Sequence, residues 1–215
     1  MIAYVGQTRG AGLIGRLRDL GIGEMTVRSE VPPRRFPWAF DNGAFSDFTA
    51  GRPFDEPAFV EACNAVRLFV ASGGPRPDFV VVPDIVAGGT ASLAFSEAWR
   101  ARVVDLGPPY LAVQDGMEET DVDAVIGGYA GIFVGGTLAW KRRTSWRWVE
   151  FAHARGLRCH IGRVGTGARA RWANGIGADS IDSSLPLFSE GNLQRFLCGL
   201  RWQPSSQPDL AEAAS

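Results

Sequence analysis

The sequence is poor in the residues that build metal centres and disulfide frameworks. Its three cysteines, Cys63, Cys159 and Cys198, are odd in number, scattered and without Cys-x2-Cys spacing. That argues against both a zinc site and a disulfide scaffold. The two histidines, His153 and His160, have no partner at metal-ligand spacing, and His160 reads as an ordinary strand residue. A net charge of −1 leaves no global basic field of the kind that coats nucleic acid. No apolar run approaches the length of a membrane span, and Met1-Ile2-Ala3-Tyr4-Val5 lacks the charged and apolar regions of a signal peptide. A soluble chain in a reducing cytoplasm, with no membrane partner, is the expectation.

What is present is one large domain's worth of chain, 215 residues with 46% hydrophobic content, enough to bury a substantial core. Short apolar runs, 2–5, 25–28, 38–40, 79–82, 110–113, 132–134, 158–161 and 180–181, read as eight strands. Helices are expected over 57–72, 90–105, 120–127, 145–155, 168–174 and 191–200, with a weaker one within 10–23. The stretch after residue 40 reads as a long loop, and 31–36 as a loop. This alternation predicts an α/β fold, a compact single-domain (β/α)8 TIM barrel over 1–202; an open doubly wound sheet is the alternative. The Pro-, Ser- and Ala-rich stretch 203–215 reads as a disordered tail.

Four of the runs end in a chemically loaded residue: Trp38-Ala39-Phe40-Asp41, Val81-Val82-Pro83-Asp84, Ala112-Val113-Gln114-Asp115 and Ser180-Ile181-Asp182. In a parallel barrel the strand C-termini share one face, so these residues should meet around a single pocket. Asp182 and Asp41 are candidates for a carboxylate nucleophile and a general acid, although each is also good turn material. Asp84 and Gln114 offer the donors and acceptors that read a purine-like edge. Gly135 and Gly136 leave backbone groups open to a ligand, and Phe45 offers a ring face or a core contact. Ile161-Gly162-Arg163-Val164-Gly165-Thr166-Gly167 is a Gly-rich loop ahead of a helix, a layout that can cradle phosphate. Basic clusters at Lys141-Arg142-Arg143 with Arg147, and at Arg163, Arg169 and Arg171, follow the sixth and seventh strands.

The order Asp-Asn-Gly-Ala-Phe, Val-Pro-Asp, Val-Gln-Asp-Gly, Val-Gly-Gly, Ile-Gly-Arg-Val-Gly-Thr, Gly-Ala-Asp-Ser-Ile-Asp resembles the tRNA-guanine transglycosylases. It is most similar to their short phage-type branch, which inserts 7-deazaguanine bases such as preQ0 into DNA. The resemblance runs from about residue 40 to 186. It implies Asp182 as the nucleophile on C1′ and Asp41 as the general acid/base. It implies Asp84, Gln114, Gly135, Gly136 and Gly162 around the base, with Phe45 and Ile161 as the pair that sandwiches it. Lys141, Arg142, Arg143 and Arg163 would hold nucleic-acid phosphates. The family's Cys-x-Cys-x2-Cys zinc segment is missing, and Pro186-Leu187-Phe188 stands where Pro-Thr-Arg is usual. Both departures favour DNA over tRNA as partner. The expected reaction uses no cofactor and leaves room for accessory DNA-modification proteins. A minimal tRNA enzyme, a non-catalytic base- or nucleic-acid-binding subunit, and a sugar-phosphate barrel enzyme are the other readings.

Overall fold

The computed structural model describes residues 1–201; the expected tail at 203–215 lies outside the described residues. The chain forms a closed barrel of eight parallel strands paired in sequence order. The strands are β1 (Ile2–Val5), β2 (Gly23–Val27), β3 (Trp38–Asp41), β4 (Val80–Val81), β5 (Pro109–Val113), β6 (Gly131–Val134), β7 (Arg158–Ile161) and β8 (Ser180–Asp182). Around them lie α1 (Ala11–Asp19), α2 (Ala44–Thr49), α3 (Glu56–Ala71), α4 (Ala91–Val103), α5 (Glu119–Asp123), α6 (Leu138–His153), α7 (Gly167–Gly175) and α8 (Glu190–Leu200). The barrel, rather than the open sheet, is what the alternation encodes. No helix of the described residues is long and apolar enough to cross a membrane.

Two helices differ from the pattern-based expectation. α6 begins seven residues before the expected 145, because the Thr137 side chain caps it by accepting from Trp140 N–H. Its buried stripe carries Lys141 and Ser145 among Trp140, Trp148 and Val149, and those two polar residues hide the apolar period. α2 stands where a loop was expected. It is only six residues long, and buried Asp47 anchors it by accepting from Arg28 (2.5 Å), Arg52 (3.2 Å) and Asp55 N–H (3.0 Å).

Strand alternation divides the core into two layers. Tyr4, Met25, Ala39, Phe79, Val81, Tyr110 and Ala112 fill the barrel interior, while Phe40, Val113, Ile132, Val134, Ile161 and Ile181 point outward beneath the helices. The interior is aromatic: Phe79 stacks on Tyr110 at 4.3 Å and Phe133 on His160 at 4.9 Å. Glycines make room for these rings. A Cβ on Gly131 would lie 2.5 Å from the Tyr110 ring, and one on Gly162 would lie 2.6 Å from Phe133.

No α-helix follows β2, only a 3-10 turn at Arg28–Glu30 and a loop to β3. The outward face of β2 accordingly carries Glu24 and Thr26, both fully buried, under Arg35 from that loop. Arg35 sits 3.2 Å from the Glu24 carboxylate and donates to the Val5 and Gly6 carbonyls. Glu24 also accepts from Gln7, Thr26 and the Arg34 N–H. Arg35→Met should leave a buried, uncompensated carboxylate and lower stability by about 3–5 kcal/mol. Denaturant unfolding checks this, with Glu24→Gln/Arg35→Met expected to recover part of the loss.

Candidate functional site

The C-terminal ends of β3 to β8 define the mouth of the barrel. A cleft there of about 60 Å³ is lined by Asp41, Phe45, Asp84, Gln114, Gly135, Gly136 and Arg163, with Val81, Ala112 and Phe133 among the residues at its floor and wall. Six of the sequence-predicted residues and Arg163 therefore meet in one place. Asp182 borders the cleft through the main chain of Arg163. Its Oδ1 accepts from Arg163 N–H (2.9 Å) and from His160 Nε2 (3.0 Å), leaving Oδ2 without a protein partner among the described residues.

His160, which reads from the sequence as an ordinary strand residue, contacts Asp182 in the structure. It is fully buried in the barrel, stacked on Phe133 and tilted against Phe79. Its Nδ1 lies 2.8 Å from Ser180 Oγ. Nε2 faces a carboxylate, which can only accept, while Nδ1 faces a hydroxyl that can donate or accept, so both ring nitrogens are partnered. The available signal was parity: His160 pairs with Ser180, two residues before Asp182, and so shares Asp182's inward register.

The same parity corrects a second expectation. Ile161 is fully buried in the outer layer and does not line the cleft, so it cannot sandwich a base against Phe45. The face of Phe45 is instead covered by the Arg163 guanidinium, 3.6 Å from the ring centroid. Arg163 holds a left-handed backbone (φ 51°) and also donates to the Gly136 carbonyl at 3.1 Å. Arg163 lines both the small cleft and a second cavity of about 430 Å³, which also shares Phe45, Gln114 and Gly136 with it.

Two carboxylates in the cleft are perturbed. Burial raises Asp41 above the ordinary carboxylate range, nearby Asp182 adds to this, and the Gly43 N–H on Asp41 Oδ1 (2.7 Å) opposes it. Burial likewise pushes Asp84 up to about 6, against a hydrogen bond from Asn42 Nδ2 at 2.9 Å and with the Asp41 charge adding to the rise. Asn42 also donates to the Val82 carbonyl, so it ties the β3 end to the β4 end. Gln114, only 3% exposed, accepts from Ala87 N–H (2.6 Å) and donates to the Ile85 carbonyl (2.8 Å). Its carboxamide thus fixes the β4–α4 loop and retains one N–H and one lone pair for a ligand.

The predicted basic residues separate. Lys141 is buried and lines the larger cavity with Arg163 and Arg169, whereas Arg142 and Arg143 lie exposed on α6. Arg147 is engaged by Glu118 and Glu119. Among the described residues no group of three or more His, Cys, Asp or Glu could hold a metal. No model of a known protein family matches the chain, and no curated protein matches it.

The raised acidity constant of Asp84 has a sign that can be checked. The unfolded chain releases this proton near 4 and the folded chain near 6, so stability falls as pH rises between them. Asp84→Asn should therefore be more stable than the parent at pH 7 by about 1–3 kcal/mol, with the difference vanishing below pH 4. Thermal unfolding across that range measures it; an equal or lower midpoint for the variant at pH 7 would count against the perturbed carboxyl.

Proposed function

We propose that the protein is a base-exchange transglycosylase that replaces guanine in DNA with a 7-deazaguanine base. The observation that carries this reading is the pair of carboxylates at the barrel mouth. Asp182 is held by His160 and by the Arg163 N–H, while Asp41, biased toward its acid form, is close enough to feel the Asp182 charge. That is the division of labour glycosyl transfer needs: an aligned nucleophile and a proton donor for the leaving group.

In the proposed reaction Asp182 Oδ2 attacks the deoxyribose C1′ and the bond from C1′ to the guanine nitrogen breaks. Asp41 gives its proton to the departing base. The incoming 7-deazaguanine returns a proton to Asp41 and attacks C1′, displacing Asp182, so two inversions retain configuration. Asp84, the remaining N–H and lone pair of Gln114, and the Gly135–Gly136 backbone read the base edge. Arg163 must leave the Phe45 face before a purine can lie on it, and its departure joins the cleft to the larger cavity. A duplex nucleotide would be extruded first, at a cost of a few kcal/mol. His160 acts as a positioning residue, because it is fully buried and meets the mouth through Asp182.

The test is incorporation of labelled guanine or preQ0 into duplex DNA, single-stranded DNA and tRNA offered in parallel. Label should enter DNA, Asp182→Asn should abolish entry, and Asp41→Asn should slow it about 10²–10⁴-fold. Label entering only tRNA would move the substrate and keep the chemistry; none entering any acceptor would remove the reading. His160→Phe keeps the ring packing and removes the donor to Asp182. It should lower kcat about 10–100-fold with little change in KM, and a fall confined to KM would contradict the positioning role.

A further inference from the structure

The chain contains one lysine, Lys141, and that lysine is 3% exposed. No carboxylate accepts from it among the described residues. One N–H is donated to the Gly162 carbonyl, and the other two donors have no protein acceptor there. An ammonium this deeply buried with no carboxylate in hydrogen-bonding contact is costly, so such an arrangement persists where an anion is to be met.

The surroundings supply the rest of a site. Lys141, Arg163 and Arg169 line the cavity of about 430 Å³ at the barrel mouth, together with residues of α2 and of the β4–α4 and β5–α5 connections. The Arg169 guanidinium makes no hydrogen bond or ion pair among the described residues, and glycine at 165 leaves it space against the loop. One acid, Asp115, lines the cavity, but Thr137 N–H (2.6 Å) and Thr137 Oγ1 (2.7 Å) occupy its two oxygens. Burial of Lys141, with the charge of Arg163 and then that of Arg169, pushes its pKa down to about 8, although the Asp182 and Asp115 charges oppose the fall. A planar guanidinium pair plus a point-charge ammonium matches a group with several anionic oxygens better than a single carboxylate.

We propose that this cavity is a phosphate subsite in which Lys141, Arg163 and Arg169 hold a nucleotide phosphate beside the nucleoside whose base enters the Asp41–Asp84 cleft. The phosphate chemistry rests on the three cations; placing it next to a flipped nucleoside rests on the base-exchange reading. Filling this subsite draws Arg163 away from Phe45, so phosphate capture and opening of the base cleft are one motion. The exposed Arg142 and Arg143 then have at most an electrostatic role outside it.

A single lysine makes the test site-resolved. The full chain labelled at lysine Cε and Nζ gives one side-chain resonance, which can be followed without any substitution. Deoxyguanosine should leave it unmoved. Deoxyguanosine 5′-monophosphate or a short single-stranded DNA should shift it and raise its titration midpoint from about 8. A shift with DNA alone assigns the subsite to the phosphodiester backbone, and a shift with the monophosphate as well assigns it to any nucleotide phosphate. A resonance that neither ligand moves overturns the proposal. Lys141→Met and Arg169→Gln should each weaken DNA binding roughly tenfold and reduce its salt slope by about one. A shift without base exchange in the labelling assay keeps the subsite and removes the reaction; exchange with a silent resonance does the reverse.

Discussion

Ring closure between the first strand and the last is the constraint on which the rest of the molecule depends. Ile2, Ala3 and Tyr4 pair with Ser180, Ile181 and Asp182, and the Ser183 N–H continues the ladder onto the Tyr4 carbonyl. Residues almost the whole chain apart thereby lie side by side, and no strand edge is left open. Closure also fixes the height of Asp182 on the rim. Every strand end that contributes to the mouth is then set relative to that carboxylate by the register of its neighbours.

Inside the ring the packing is unusual in placing a titratable aromatic, His160, among Tyr4, Phe79 and Phe133. The imidazole fills volume as a ring and presents polar atoms at both ends, to Ser180 below and Asp182 above. One side chain therefore packs the core and aims the carboxylate. The opposite choice is made at β2, where Glu24 and Arg35 close a face that other strands cover with apolar helices. The molecule keeps a paired buried charge that seals the wall, and poorly compensated titratable groups, the half-buried Asp41 and Asp84 and the buried Lys141, that gather at the mouth. The second kind opposes folding, as expected where stability is given up for function.

Much of this was legible in the sequence, and the misses have physical causes. The acids at 41, 84 and 182 stood out because a carboxylate ending an apolar run is rare and local, and the first two line the mouth cleft. Phe45 and the glycines at 135 and 136 followed from the same punctuation. Ile161 was misplaced and His160 overlooked because motif order carries no strand parity; the inward register appears only once β7 is paired with β8. Lys141 was grouped with Arg142 and Arg143 as one basic cluster, because the helix that buries it has polar residues on its inner stripe. α2 was invisible because its anchor, Asp47, works through Arg28 and Arg52 rather than through apolar periodicity.

One peptide group joins the two halves of the mouth. The carbonyl of Gly162 takes the Lys141 ammonium, and the N–H of Arg163, on the same peptide bond, holds Asp182. The glycine cannot gain a side chain without striking Phe133, and Arg163 already occupies a backbone region that most residues avoid. This joint is closed to drift. Descendants of this chain that come to favour a different ligand would have to vary elsewhere on the rim, in α2 and the β4–α4 loop, where Phe48 and Ile85 stand exposed. The barrel's mouth thus has a hinge side that selection must preserve and an open side on which specificity can be rewritten.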